Sequence, residues 1–425
     1  MQAKNLMLIN RHIKKQLLSA LKASPVVLLT GARQVGKSTL VKEIVAKESG
    51  ARYITFDEPS VLLAAKKDPS GFLEGLANIR TLVLDEVQRV PELYLPLKLS
   101  VDENRRAGRF ILTGSTSALF LPKLADAMVG RMAIHSLFPF SQGELEGKTE
   151  VFIDWCFSNK GLPEDRLSAL VSKSEIASRM STGGFPAVVS GAKHSNSADW
   201  FESYIQTILS RDIKDLANVD RLLEFPSLLS LLAARIGTLT NLSEISRTTS
   251  IPLNSLKRYL ALLQAVFIYQ PIPPWHANFG KRLVKSSKSC LLDTGLVCHL
   301  LQIENNVSHS PYYGHLLETF VINELRKQIS WNNTRCHIYH WRTHEGDEVD
   351  AVLEASNGKI VALEVKAAST ISAADISGLS RFAQLVGDQF HRGILLYQGQ
   401  KVIPLAKNIF ALPVSALWRI SQPSK

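Results

Sequence analysis

At 425 residues the chain exceeds what one hydrophobic core supports, since single cores stop growing near about 250–300 residues, and two or three domains are expected. Hydrophobic residues make up 45% and charged residues 20%, which excludes disordered, collagen-like and coiled-coil chains. Lys and Arg number 49 against 38 Asp and Glu, a net +11; that excess favours polyanionic partners, nucleic acid first, though many basic proteins bind none.

The four cysteines, Cys156, Cys290, Cys298 and Cys336, form no CxxC pair, which fits a reduced, cytoplasmic chain better than a zinc protein. No apolar run approaches the roughly 18 residues of a membrane span, and charge returns at Arg11, Lys14 and Lys15, so neither a membrane contact nor a secretory leader is expected.

In chain order, helical apolar spacing over 10–24 ends at Pro25, and Val26–Thr30 reads as a buried strand entering a glycine-containing loop. Arg52–Phe56, Thr81–Leu84 and Arg109–Thr113 are further strand-length apolar runs with helical stretches between them. Strand–helix alternation of this kind implies a mainly parallel sheet covered by helices on both faces. A polar stretch around 148–165 marks a boundary. Beyond it the chain reads as helical: Pro226–Ile236, Leu242–Thr248 and Ser255–Val266 form a helix-turn-helix profile. Phe267–Pro274 and Arg282–Leu292 are candidate wing strands. The last hundred residues return to mixed structure, with a helix over His315–Ile329, strands at His337–Arg342, Glu348–Glu354, Ile360–Val365 and Arg392–Tyr397, and a helix over Ile376–Leu385.

Gly31-Ala32-Arg33-Gln34-Val35-Gly36-Lys37-Ser38 satisfies GxxxxGK[ST] between a strand and a helix. In that setting backbone N–H groups curl around phosphates and the helix N-terminus faces the anion. Lys37 is expected to bridge the β- and γ-phosphates of ATP, and the Ser38 hydroxyl, followed by Thr39, to ligate Mg²⁺. Leu82-Val83-Leu84-Asp85-Glu86 supplies an apolar strand ending in two acids: Asp85 to hold Mg²⁺ through water, Glu86 to orient or deprotonate the attacking water. Glu directly after Asp favours ATP hydrolysis over binding alone, and over a small-molecule kinase. The strand before Gly114-Ser115-Thr116 ends where a polar side chain can meet the γ-phosphate; Ser115 is the first candidate and Thr116 the second, with a plain turn as the alternative. Arg131 is a candidate charge-stabilising arginine, in cis or across a subunit boundary, or else a solvated surface residue.

These residues, Pro25–Thr39, Leu84-Asp85-Glu86-Val87-Gln88, Phe110–Ser115 and Gly130-Arg131, resemble a widespread prokaryotic group of AAA-type ATPases whose core is joined to a C-terminal domain of unknown function. Gly183-Gly184-Phe185-Pro186, Arg211-Asp212-Ile213, Asp293-Thr294-Gly295-Leu296 and Leu317–Val321 extend the resemblance over essentially the whole chain. The resemblance implies an α/β fold: an AAA-like P-loop NTPase sheet over 1–148, a helical region with a winged helix over 165–305, and a small α/β restriction-endonuclease-like domain of PD-(D/E)xK type over 312–425. It implies no defined cellular role.

The C-terminal carboxylates have their own logic. Asp350 ends Glu348-Val349-Asp350, and Leu363-Glu364-Val365-Lys366 follows after a hairpin-length interval. Period-two alternation puts Glu364 and Lys366 on one face beside Asp350. Two carboxylates there can bind Mg²⁺, with Lys366 stabilising a phosphate or steering water and Glu318 adding an oxygen ligand; an exposed charge pair, or a relic that binds DNA without cutting, are the alternatives. Trp341, Arg342 and His344 either touch nucleic acid or close the core. Lys281, Arg282, Lys285 and Lys288, after Lys257 and Arg258, suggest a wing making phosphate contacts, or a solvated hairpin. Two functions compete: an ATPase whose C-terminal part binds nucleic acid, DNA ahead of RNA, with cleavage as a candidate added activity, and an ATP-dependent switch on a protein partner with an inactive nuclease-like docking domain. An oligomer is compatible with either, while no ABC-type LSGGQ signature supports a transporter.

Overall fold

The computed structural model describes residues 9–118, 121–161, 171–191, 197–216, 222–278, 280, 282 and 285–420. The chain forms two compact units, one from Arg11–Phe138 with Ala261–Ile268, the other from Pro139–Leu260 and from Tyr269 onward.

In the first unit five strands, β1 (Val26–Thr30), β2 (Ala51–Thr55), β3 (Thr81–Asp85), β4 (Phe110–Gly114) and β5 (Met132–Ser136), line up in the order β2-β3-β4-β1-β5, every neighbouring pair parallel. The central strands are apolar at consecutive positions because both faces are covered. Val26, Leu28, Leu82, Leu84, Phe110 and Leu112 enter one core with Phe56, Tyr94, Leu97 and Leu124. Their alternates Val27, Leu29, Val83 and Ile111 are equally buried, and helices Lys14–Ala23 and Lys37–Val45 pack on the strands. β5 is the strand that sequence pattern does not announce: it is an edge strand only partly covered, with Ile134 half exposed.

The second unit carries a six-stranded sheet, β6 (Cys336–Arg342), β7 (Glu348–Ala355), β8 (Ile360–Lys366), β9 (Phe390–Tyr397), β10 (Ile403–Ala406) and β11 (Ile409–Pro413), in the order β10-β11-β9-β8-β7-β6. β9 runs parallel to β8 and β11 and the other pairs are antiparallel. Helix Ser377–Val386 seats Leu379 and Phe382 in a core with Val349, Val352, Ile360, Ala362 and Leu395. Trp341 lies in that core, its ring 5.1 Å from Phe382, so it closes the interior and is not a nucleic-acid contact. Arg342 faces Glu348 at 3.4 Å and His344 is exposed in the following turn.

Helices Phe225–Ala234, Leu242–Thr249 and Leu253–Ala265 stand where the helix-turn-helix spacing places them. Among the described residues the two candidate wing segments form no continuous strand. The segment instead pairs through single bridges, Tyr269 with Leu291, Ile272 with Lys288 and Leu239 with Lys288. The helical and sheet segments, separated at 305–312 in sequence, share this one unit: Ile272 and Cys290 bury against Ile322 of helix Tyr313–Ile329, and Pro274 bridges to His340 on β6.

Two of the sequence landmarks meet here. Asp293, 3% exposed, caps helix Thr294–Leu300 by accepting from the Gly295 N–H at 2.8 Å and the Leu296 N–H at 3.3 Å, and it also accepts from the Gly184 N–H at 2.8 Å. A side chain at Gly183 would strike this carboxylate, since its Cβ would sit 2.0 Å from Oδ1. Asp293→Ala orphans three buried amides at once and is expected to cost about 2–4 kcal/mol, read as a lowered urea midpoint at unchanged m-value.

Candidate functional site

All five strands of the first sheet point the same way, so the carboxyl ends of β1, β3 and β4 converge on one edge, where ligands bind in open α/β sheets. The loop 31–36 leaves β1 there and feeds helix Lys37–Val45. Its geometry demands glycine at both ends. Gly31 has φ +151° and a Cβ would fall 2.2 Å from the Leu137 carbonyl oxygen, while Gly36, at φ +97°, is the left-handed residue before the helix. Gln34 is also left-handed, at φ 64°. This winding turns successive amides into the loop and aims the helix N-terminus at its mouth. Lys37 is 5% exposed and its ammonium donates to the carbonyls of Gly31 and Ala32, both at 2.9 Å.

Asp85, at the end of β3 and 2% exposed, is the hub of the site. Ser38 donates to it at 2.9 and 3.2 Å; Thr113 on β4 donates to Oδ1 and the Tyr53 phenol on β2 to Oδ2. Burial, then the hydrogen bond to Asp85, raises the Tyr53 phenol above its ordinary range. Glu86 follows in a left-handed conformation, φ 60°, which a non-glycine residue adopts at a cost of about 1–3 kcal/mol; its N–H is fixed on the Thr113 hydroxyl at 3.0 Å. Its carboxylate accepts from the Gln88 amide and from Ser115 at 3.2 Å, and the same amide donates to Ser115 at 3.0 Å. Thr116 is buried beside Ser115.

The structure therefore gathers the whole loop, Lys37, Ser38, Asp85, Glu86 and Ser115 on one edge. It does not bring Arg131 there. Arg131 precedes β5, and its carbonyl accepts from the Val26 N–H at the start of β1, about 16 Å of strand from the loop. Its guanidinium grips Asp102 at 2.8 and 2.9 Å. Being at the wrong end of a parallel sheet, it cannot act in cis. Sequence reasoning gave no role to Tyr53, Gln88 or Arg11. Arg11 is 7% exposed and donates to the Val35 carbonyl at 2.8 Å, bracing the loop from behind. Gln88 lay inside the quoted motif; the other two carry no local signal.

A second cluster forms in the other unit. Asp350 lies on β7 and Glu364 on β8, whose register pairs Ala351 with Leu363. Lys366 meets Glu364 at 3.1 Å, and Asp350 Oδ2 accepts from the Val365 N–H at 2.9 Å. The unforeseen member is Lys288, which donates to Glu318 and, at 3.0 Å, to Asp350. Burial works to lower its ammonium, but Asp350 and Glu318 outweigh that and raise it. Burial and then the Asp350 charge raise both Glu318 and Glu364 above the ordinary carboxylate range. Burial, then the Lys288 charge, draws His340 down to about 4. Lys288 engages Glu318 and Asp350 and Lys366 faces Glu364, so the three carboxylates expected to hold Mg²⁺ are committed to lysines here, and among the described residues none of them joins a metal-holding group.

Two members of the basic segment, Arg282 and Lys288, are likewise turned inward. Lys288 is buried, and Arg282 forks onto Glu354 while lying over the Tyr339 ring at 4.9 Å. Lys285, Lys257 and Arg258 are exposed, and Lys281 lies outside the described residues. Among those residues no helix is long and apolar enough to cross a membrane.

Loop, helix and acidic strand end on a parallel sheet define a P-loop fold of the AAA type. In agreement, a family model described as an AAA domain matches residues 23–146. Two models described as domains of unknown function follow, DUF8612 over 173–307 and DUF4143 over 313–417. The chain is 31% identical over 411 residues to uncharacterized proteins of Mycobacterium tuberculosis (Rv2008c) and Mycobacterium bovis (Mb2031c), covering 96% of this chain and 84% of each of theirs. It belongs to the same family as these two mycobacterial proteins, and in this chain the AAA-domain match is followed by the two C-terminal ones. Among solved structures, the Walker-type ATPase of Pyrococcus abyssi is similar at 16% identity and a TM-score of 0.44, over 70% of this chain and 97% of that one.

Proposed function

We propose that the chain binds ATP and hydrolyses it with Mg²⁺. The observation that carries this reading is the hydroxyl–carboxylate pair Ser38–Asp85 at the mouth of an amide-lined loop, with Glu86 and Ser115 joined beside it. The donor set suits the ion: Ser38 and Asp85 offer hard oxygens. Bound there, Mg²⁺ would neutralise charge on the phosphate oxygens. The loop amides and Lys37 hold the triphosphate, Ser115 and Gln88 fix the Glu86 carboxylate, and Glu86 orients the attacking water and takes its proton.

The direct test is phosphate release from ATP with Mg²⁺ and with EDTA; no magnesium-dependent release by folded protein would overturn the reading. Tyr53→Phe removes one donor that orients Asp85, and such outer partners typically govern about 10–100-fold in metal affinity. The Mg²⁺ concentration for half-maximal turnover is expected to rise about tenfold with little change in maximal rate.

Beyond the P-loop core, the three helices and the single bridges that follow them support a winged-helix reading. The Asp350, Glu364 and Lys366 set on β7 and β8 supports a restriction-endonuclease-like one. Two uses follow: engagement of nucleic acid, or a docking surface through which the ATP state acts on a protein partner. The inward pairing of Arg282 and Lys288 favours the second. ATP turnover indifferent to DNA, with no metal-dependent nicking, would agree with it; stimulation by DNA would restore the first.

A further inference from the structure

The restriction-endonuclease-like reading implies a divalent ion among Glu318, Asp350 and Glu364, and the residues disagree with it. A divalent cation needs several oxygens converging on one point. Here both oxygens of Asp350 are engaged, Oδ1 by Lys288 and Oδ2 by the Val365 amide. Glu318 Oε1 receives Lys288, and Glu364 Oε1 faces Lys366. Glu364 Oε2 is buried with no hydrogen-bond partner among the described residues, in a side chain 8% exposed: an oxygen of the kind a metal would recruit, left unused.

Lys288 is not a surface side chain that has strayed inward. Its backbone exchanges two hydrogen bonds with Ile272, both 2.9 Å, and bridges Leu239. Its neighbour Ser289 accepts from the Gly237 N–H at 2.9 Å. Gly237 is left-handed, and a Cβ there would lie 3.1 Å from Glu318 Oε2, so the backbone itself closes over the carboxylates. Lysine supplies one positive charge and three donors, enough to satisfy two carboxylates but unable to polarise a phosphate as a doubly charged ion does. Removing one partner of such a buried pair leaves an uncompensated charge, which is costly.

We propose that Lys288 is a resident cation standing in place of a divalent metal, making Glu318, Asp350 and Glu364 a closed, metal-free lock that pins the bridged residues 269–274 and 287–291 to the second sheet and withholds phosphodiester cleavage. The proposal rests on the nuclease-like reading of β7 and β8 for the expectation of a metal, and on the ion-pair geometry for its replacement.

The test is Mn²⁺ uptake by the metal-stripped full-length chain without nucleotide, followed by electron paramagnetic resonance. Binding is assigned to this cluster by its loss on Asp350→Asn. The wild-type chain is expected to show no Asp350-dependent Mn²⁺. Lys288→Met is expected to gain one equivalent, lost again in Lys288→Met/Asp350→Asn, and its melting temperature is expected to rise with Mn²⁺ while that of the wild type stays put. If Lys288→Met does not fold, Lys288→Met/Glu318→Gln, with one carboxylate charge fewer, carries the same arm. Asp350-dependent Mn²⁺ in the wild type overturns the lock and leaves the nuclease-like reading standing. A folded Lys288 variant that gains no Mn²⁺ overturns both.

Discussion

Lys37→Ala is expected to reduce ATP turnover by on the order of 10²–10³ or more, the scale on which single preorganised charge-stabilising groups act in buried sites, and to weaken ATP binding as well. The reason lies in where the ammonium is held. It sits 5% exposed over the loop, fixed by the Gly31 and Ala32 carbonyls, so its charge meets the triphosphate in a poorly screened setting and little has to reorganise. The measurement is steady-state phosphate release beside a titration with fluorescent ATP analogue. Normal turnover in this variant, with the fold intact by circular dichroism, would remove the loop from the mechanism. Ser38→Ala separates the roles: it keeps the ammonium and loses a donor to Asp85, so its defect should be relieved in part by raised Mg²⁺.

Glu86→Gln is expected to have the second large effect and a different signature. A positioned general base contributes about 10²–10⁴ in rate, and Gln keeps the shape while losing basicity. Turnover should fall on that scale while ATP affinity stays within about twofold, because Glu86 is not part of the phosphate-gripping loop. Its left-handed backbone, locked on Thr113, and the clasp by Gln88 and Ser115 hold the carboxylate in one place. A matched loss of binding and turnover would mean that the residue shapes the pocket, and that the base must be sought elsewhere.

The nucleotide edge was legible because its parts are local. Gly31, Gly36, Lys37 and Ser38 occupy one turn, and Asp85-Glu86 end a strand whose buried run Leu82-Val83-Leu84 is continuous. Strands covered on both faces write themselves as apolar runs; β5, an edge strand containing His135 and Ser136, does not. Arg131 misled because Gly130-Arg131 looks alike at either end of a strand, and only the parallel register Val26–Met132 reveals the distant end. Lys288 misled for a related reason. In sequence it closes a basic stretch and looks solvated, yet its partners lie 30 and 62 residues away, a separation at which charge pattern says nothing about burial. Tyr53 likewise reaches Asp85 only through strand order.

Asp85 has two oxygens and three hydroxyl claimants drawn from the first turn of helix Lys37–Val45, β2 and β4. A cation arriving at that carboxylate draws on the lone pairs these hydroxyls already orient, so at least one of the hydroxyl bonds readjusts around it without having to break. If it is that of Tyr53, the disturbance reaches the outermost strand, where the Lys42 ammonium rests 4.6 Å above the phenol ring. Nucleotide loading thus carries its own optical reporter: the near-ultraviolet tyrosine band of this strand should register magnesium entry before any product leaves.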